Sequence, residues 1–172
     1  MAGQSEISGT CDICNAASPS LPVIAEWPAV KTFAHFVTIY APRARIWDVL
    51  SDLPRWPERM ASIDTLQKLG DAALEVGSRI RIKQVGLPQV SWTITAWKPG
   101  KSFTWQSCVI GLSATARHRI VDAQSACQLE LRLQLEGWLA PLIGLLVGRT
   151  VRRHLAIEGA AVKQASEASQ PV

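Results

Sequence analysis

The clearest hydrophobic pattern in the chain is a strand of strict alternation that runs directly into a long amphipathic helix. Over residues 127–136, one strand face is apolar and consists of Cys127, Leu129, Leu131, Leu133 and Leu135. At about 100° per residue, residues 139–167 place one apolar stripe on a helix, made of Ile143, Val147, Val151, Leu155, Ala161, Val162 and Ala165. Gly137 permits the turn between them, and Pro141 suits the first helical turn. The pattern predicts a long helix packed on an antiparallel sheet.

Six more strands and two short helices are predicted upstream. A strand covers residues 32–40, a short helix covers 43–51, and a second helical piece covers 55–60. Further strands are expected over residues 63–69, 79–85, 90–97, 102–109 and 112–121, each bounded by Gly, Pro or Asp. Because the gaps are short, successive antiparallel hairpins are favoured. The expected fold class is α+β, with about seven strands, two short helices after the first strand and a long C-terminal helix.

Two features of the long helix depart from a simple amphipathic pattern. Leu142, Leu145 and Leu146 make its first two turns apolar on all sides. His154 and Glu158, four residues apart, fall within or beside the apolar stripe. The first feature predicts a cavity mouth or partner surface, and the second predicts polar groups inside the fold.

Composition and charge narrow the class of protein. The chain has 172 residues and 48% hydrophobic residues, which suits one globular domain with a sizeable core. The net charge of +4 is spread without a block of basic residues, so no nucleic-acid partner is predicted. Neither a signal peptide nor a membrane-spanning segment is recognisable, and we expect a cytoplasmic protein.

The first 30 residues lack a periodic apolar face. Residues 1–30 are therefore predicted to be a flexible leader, residues 31–168 the folded domain and residues 169–172 a tail. Cys11 and Cys14 form a single C-x-x-C, but a structural zinc site needs four ligands and no second pair lies nearby. A thioredoxin-type motif would open a helix in a βαβ unit, which is not predicted here. No metal and no cofactor are expected, and the role of the two cysteines stays open.

The order of elements and several motifs resemble one known group of proteins. The chain resembles the helix-grip fold of the START-like, or SRPBCC, superfamily, and is most similar to its polyketide cyclase/dehydratase and lipid-transport branch. The resemblance covers about residues 32–167. It rests on residues 37–42, Ile46-Trp47, Asp52, Trp56-Pro57, Gly77, residues 97–101, residues 103–105, His118-Arg119, Gly144, Gly148 and Arg152-Arg153.

The resemblance implies a curved sheet that grips the long helix, with a cavity between them. Strand phases then predict which side chains face this cavity, and most of them are apolar or aromatic. Ala114, Ile120 and His35 fall in the same phases. The predicted ligand-binding residues are Ile80, Ile82, Gln84, Trp92, Ile94, Phe103, Trp105, Ser107, Ala116, His118, Ile143 and Val147. Trp47, Trp56 and Trp97 are assigned to core or lid, and Trp138 to one end of the cavity.

His118 and Glu158 are the candidate catalytic residues, and each has two interpretations. A histidine there could orient a carbonyl or hydroxyl group, or act as an acid or base in enolisation. The structural alternative is a buried histidine paired with a neighbouring strand or with Glu158. Glu158 could likewise be a general base, or it could anchor the helix to the sheet.

Three functions remain open from the sequence. The first is a non-catalytic carrier or binding module for a hydrophobic small molecule, lipid-like or polyketide-like. The second is an aromatase/cyclase-like enzyme that uses His118 and Glu158 as acid and base. The third is a protein-interaction or membrane-surface module that uses the start of the long helix. The sequence does not identify the ligand, and it does not decide between a monomer and a homodimer.

Overall fold

Secondary structure follows the predicted order within residues 29–168, the part of the chain that the computed structural model describes. Strand β1 (Val30–Ile39) precedes helix α1 (Arg43–Ser51), a 3-10 turn (Leu53–Arg55) and helix α2 (Trp56–Arg59). The following strands are β2 (Ile63–Leu69), β3 (Arg79–Gln84), β4 (Val90–Lys98), β5 (Ser102–Val109), β6 (Leu112–Ala123) and β7 (Ala126–Glu136). Helix α3 (Ala140–Glu167) comes last.

These elements confirm the predicted α+β helix-grip architecture. The predicted ends of α1, β2 and β5 coincide with the observed ones, because Pro, Gly or Asp marks each boundary. Strand β1 begins at Val30, one residue before the predicted domain start, since Val30 pairs with Glu136 at the end of β7. Apart from residues 29 and 30, the predicted leader with Cys11 and Cys14 lies outside the described residues, and so does the tail.

The seven strands form one antiparallel sheet in the order β1-β7-β6-β5-β4-β3-β2. Its register aligns side chains in rows across the sheet, and one inward row contains Phe103, His118, Leu131 and His35. A register shift between Ile94 and Ala96 bends β4 and brings Trp97 opposite Phe103. The sheet therefore presents a continuous apolar and aromatic inner face.

Helix α3 lies along β1 at close range because glycines face the strand. A Cβ atom on Gly148 would lie 3.2 Å from Cε1 of Phe33, and one on Gly159 would lie 2.9 Å from Cδ2 of His35. Gly144 faces the Lys31 side chain in the same way. The hydrophobic stripe predicted from sequence is thus only part of the buried helix face, which also includes these glycines and the residues Ala140, His154, Glu158 and Ser166.

The buried core lies between the sheet, α1, α2 and α3. Its largest fully buried side chains include Trp56, Phe103, Ile46, Leu50 and Leu131. Helices α1 and α2 fill one end of the space beneath the sheet, while α3 packs mainly on β1 and less extensively on β7. Within residues 29–168, no helix has the length and apolar character required to cross a bilayer.

The glycine contact between α3 and β1 predicts a specific sensitivity to side-chain volume. Replacing Gly159→Val should lower the free energy of unfolding by about 1–3 kcal/mol, because the added methyl groups meet the His35 ring. Replacing the adjacent, exposed Ala160→Val should cost less than about 0.7 kcal/mol, which is its helix-propensity effect. Urea denaturation of both variants measures the difference. Adding His35→Ala to Gly159→Val should recover part of the lost unfolding free energy. Equal losses in Gly159→Val and Ala160→Val would show that Gly159 does not contact His35 closely.

Candidate functional site

An aromatic cluster covers the middle of the sheet's inner face. The imidazole of His118, on β6, stacks on Phe103 of β5 with ring centroids 4.2 Å apart and planes inclined by 13°. Trp56 of α2 lies 5.8 Å from His118 and 5.6 Å from Trp105, measured between ring centroids. Trp92 of β4 extends the cluster from Trp105 at 5.6 Å. The cross-strand register and α2 together hold His118 in an aromatic environment.

His118 is joined to α3 through Glu158. Its Nε2 atom lies 2.8 Å from Oε1 of Glu158, and both side chains are buried. The distance is that of a hydrogen bond, but no donor within residues 29–168 meets Oε1 at a favourable angle. The pair connects the helix to the centre of the sheet, which agrees with the structural interpretation of both residues.

Three buried polar atoms in this region have no hydrogen-bond partner among the described residues. They are Nε1 of Trp105, Nδ1 of His118 and Oε1 of Glu158. Their side chains are in contact through His118, whose ring centroid lies 5.4 Å from that of Trp105. Because burying a polar group without a partner costs about 1–3 kcal/mol, such a cluster favours a polar group of a ligand or a water molecule at one or more of these atoms.

His154 lies one helical turn before Glu158 and faces another part of the sheet. Burial lowers the pKa of its imidazole, and the Arg153 charge lowers it further, whereas Glu158 and the backbone of Val85 act in the opposite direction. Val85 directly follows β3, so this histidine connects α3 to the β3–β4 hairpin. His154 and Glu158 therefore contact different parts of the sheet, although the charge of Glu158 still acts on His154.

Part of the inner face is apolar and yet partly exposed. Three inward-facing residues of the sheet are only half-buried, namely Ala114, Ala116 and Leu133. Other residues in the same inward register are buried, namely Ser107, Trp105 and Leu135. Trp92 on β4 and two residues of α3 show the same partial exposure. We call this set the inner wall; its members are Trp92, Ala114, Ala116, Leu133, Ile143 and Val147. Since α3 packs mainly on β1 and β7, the inner face of β4–β6 remains accessible beside it.

The structure places the sequence-predicted ligand-binding residues on the inner side of the sheet and helix. Some are fully packed in the core, namely Ile80, Ile82, Ile94 and Phe103. Trp92, Ala116, Ile143 and Val147 belong to the inner wall, and Trp105 and His118 carry unpartnered polar atoms. Ser107 is buried opposite Ala114. Gln84 is half-buried at the end of β3, next to Val85. Glu158, the second catalytic candidate, is in contact with the first.

Two tryptophans differ in how they meet their predicted positions. Trp56, predicted as core or lid, is buried in the core, and its ring also contacts both His118 and Trp105. Nothing in the local sequence indicates this, because α2 reaches the sheet through the tertiary fold. Trp138, assigned to one end of the cavity, is instead mostly exposed and lies against Gly111 of the β5–β6 turn.

A separate groove lies at the outer edge of β1, beside the start of α3. It has a volume of about 500 Å³ and is lined by Ala29, Val30, Lys31, Pro141, Gly144, Leu145, Gly148, Arg149 and Arg152. All its charged side chains are basic. Within residues 29–168, no group of three or more His, Cys, Asp or Glu side chains is arranged to hold a metal ion.

Residues 31–167 match the family model described as polyketide cyclase / dehydrase and lipid transport. The match covers most of the chain, so the protein belongs to this family, as the resemblance implied. No curated protein sequence matches the chain.

Solved structures with this fold include enzymes of natural-product synthesis. Norcoclaurine synthase from Thalictrum flavum, in complex with dopamine and hydroxybenzaldehyde, is 14% identical, with a TM-score of 0.65 over 90% of this chain and 100% of that chain. The di-domain ARO/CYC StfQ from the steffimycin biosynthetic pathway is 12% identical, with a TM-score of 0.67 over 81% of this chain and 51% of StfQ, so the chain spans about half of StfQ. DR_A0006 from Deinococcus radiodurans is 22% identical, with a TM-score of 0.56 over 81% and 99%. At these identities the likeness establishes the fold.

The buried position of His154 predicts a pH-dependent stability. Its pKa is lowered in the folded state, so below about pH 6.5 the unfolded chain takes up a proton that the folded protein resists. Stability should therefore fall as the pH drops through this range. In a His154→Gln variant, the difference in unfolding free energy between pH 8 and pH 5.5 should be smaller than in the parent protein. Urea denaturation at both pH values tests this, and an unchanged pH dependence would show that His154 titrates normally.

Proposed function

We propose that the protein binds a hydrophobic small molecule, lipid-like or polyketide-like, between the sheet and α3, as a carrier or binding module. The observation that carries this proposal is the inner wall, an apolar surface that faces inward and still remains partly exposed. In a fully packed core, Ala116 and Leu133 would be buried like Trp105 and Leu131 in the same sheet. Small-molecule sites in proteins are usually mainly apolar, as this surface is.

The polar cluster at the end of the inner wall adds a chemical preference. An indole N–H, an imidazole nitrogen and a carboxylate oxygen are buried there without hydrogen-bond partners among residues 29–168. A ligand hydroxyl or carbonyl group could satisfy one or two of these atoms, while its apolar part contacts the wall. The proposed ligand is therefore apolar over most of its surface and carries at least one hydroxyl or carbonyl group.

Family membership and fold are consistent with this ligand class. The matched family is described by polyketide cyclisation and lipid transport, which both concern hydrophobic molecules with oxygen-containing groups. Norcoclaurine synthase, which has the same fold, is known in complex with two small aromatic molecules. The fold can thus accommodate such molecules, but the ligand of this chain follows from its own wall and polar cluster.

Filling the inner wall should abolish binding without unfolding the protein. We expect 11-(dansylamino)undecanoic acid to bind with micromolar affinity, about −8 kcal/mol, and to quench the emission of the neighbouring tryptophans by energy transfer. Replacing Ala116→Phe should weaken this affinity by at least about tenfold, because the new ring occupies the space beside the wall.

Thr115→Phe is the matched control, since Thr115 lies next to Ala116 but points to the other face of the sheet. This variant should bind the dansylated fatty acid as the parent protein does. Circular dichroism melting checks that both variants fold. If Ala116→Phe folds and binds normally, the ligand does not lie on the inner wall and the proposal is wrong.

The polar cluster should distinguish ligands of equal shape. 2-Naphthol carries a hydroxyl group where 2-methylnaphthalene carries a methyl group. The preference for 2-naphthol over 2-methylnaphthalene should be stronger in the parent protein than in a double variant, His118→Phe with Glu158→Leu. Both partners are replaced so that no carboxylate is left unpaired. The ratio of the two dissociation constants, measured by fluorescence titration, should shift by about fivefold or more, which equals ~1 kcal/mol. An unchanged ratio would show that the ligand's polar group does not reach this cluster.

The His118–Glu158 contact favours a second candidate function, an acid–base catalyst of the aromatase/cyclase kind. A carboxylate and an imidazole 2.8 Å apart could remove a proton next to a ketone and return it to a departing hydroxyl group during dehydration. Turnover separates the candidates. A catalyst would convert a β-hydroxy-ketone thioester to a dehydrated product detectable by mass spectrometry, and His118→Gln would abolish this conversion. A binding module would return the thioester unchanged.

A further inference from the structure

The end of the molecule formed by the start of α3 and the β5–β6 turn is apolar and exposed. Its largest exposures are those of Leu145 at 79%, Ile110 at 78%, Trp138 at 70% and Leu146 at 68%. We call this surface the apolar tip; it consists of Val109, Ile110, Trp138, Leu142, Leu145 and Leu146. Large apolar side chains are seldom grouped on the surface of a monomeric protein without a binding role.

The apolar tip is one surface, although its residues come from two parts of the chain. The backbone N–H of Leu139 donates to the carbonyl of Gly111 at 3.2 Å, which fixes the start of α3 against the β5–β6 turn. The indole of Trp138 lies directly on Gly111, where any side chain would collide with it. Gly111 and Gly137 both have positive φ, so the turn and the helix entry have defined shapes. The tip is therefore a preformed part of the fold.

Basic side chains follow the apolar tip along the helix. Arg149, Arg152 and Arg153 are exposed on α3. At a rise of about 1.5 Å per residue, they lie roughly 6–12 Å beyond Leu145 along the helix axis. Arg149, Arg152 and Lys31 also line the groove beside β1. Residues 102–121 and 137–157, which contain the whole tip and these arginines, include no Asp or Glu.

From this layered arrangement we infer that the apolar tip docks on an anionic lipid bilayer, with the arginines at the level of the lipid phosphates. Side chains that enter an interface reach about 5–10 Å into the boundary between headgroups and acyl chains, which matches the separation of leucines and arginines. Tryptophan is favoured at the same boundary, because its ring is apolar and its N–H is polar. Arginine and lysine are attracted to anionic headgroups, and no carboxylate in these segments opposes them.

A protein partner fits these observations less well. An apolar protein interface would be served by Leu142, Leu145 and Ile110, but it does not require basic groups in a separate layer behind them. Along α3 the apolar residues come first and the arginines follow, which corresponds to the order of polarity across a bilayer surface. The inference does not depend on the proposed ligand chamber, since the tip lies on the outside of the molecule.

Vesicle co-sedimentation of the full chain tests the inference. Vesicles of phosphatidylcholine mixed with phosphatidylglycerol should bind the protein at least tenfold more tightly than vesicles of phosphatidylcholine alone, and added salt should reduce the difference. Leu145→Glu and Ile110→Glu, on the two separate segments of the tip, should each weaken binding by about tenfold or more. Replacing Arg149, Arg152 and Arg153 together by Gln should remove the preference for anionic vesicles.

Phe36→Glu is the matched control. Phe36 is 51% exposed on the outer face of β1, so its replacement adds the same charge outside the tip and should leave vesicle binding unchanged. Absence of binding to anionic vesicles by the full chain would overturn the inference. So would equal loss of binding in Phe36→Glu and Leu145→Glu. If size-exclusion chromatography with light scattering shows a dimer that Leu145→Glu dissociates, and vesicles do not bind, the tip is a self-association surface and the inference is wrong.

Discussion

The close contact between α3 and β1 determines where the rest of the molecule can place a functional site. Gly144, Gly148 and Gly159 remove side chains from the helix face that meets β1, so the backbone approaches Phe33 and His35 directly. This contact holds the helix over one edge of the sheet instead of its centre. The helix consequently does not lie over the inner face of β4–β6, where the small residues Ala114 and Ala116 are located. A larger residue at these glycines would displace the helix and change the space beneath it.

The two ends of that space are different because different elements fill them. Helices α1 and α2 close one end with Trp56, which packs on Phe103 and the His118 ring. The Glu158–His118 contact connects the helix to the sheet at this end. Toward the start of α3, Ile143 and Val147 are only half-buried, as are Ala114 and Ala116 on the sheet. For the proposed ligand, the unpartnered polar atoms favour placing its polar group near His118.

Much of the fold could be predicted because its signals are local. Strand alternation, glycine and proline turns and the apolar stripe of α3 are properties of neighbouring residues, and the observed elements follow them closely. Strand phase also predicted correctly that Trp105, Ser107 and His118 point inward, since a strand alternates regardless of its partners. The spacing of Gly144 and Gly148 indicated close packing or ligand access, and the structure shows close packing on β1. The same contact of Gly159 was missed, because a hydrophobicity pattern does not register a residue without a side chain.

The sequence by itself determined the order of the elements, the inward phase of the strands, the apolar start of α3 and the family resemblance. Only the tertiary structure decided that Glu158 contacts His118 and that His154 contacts the β3–β4 hairpin. It also decided that Trp56 belongs to the aromatic cluster, and that Ile110 lies with Trp138 and Leu145 on one surface. The physical reason is the range of the interactions. Periodicity depends on residues two to four positions apart, whereas each of these contacts joins side chains from separate elements whose distance depends on the seating of α3 on the sheet.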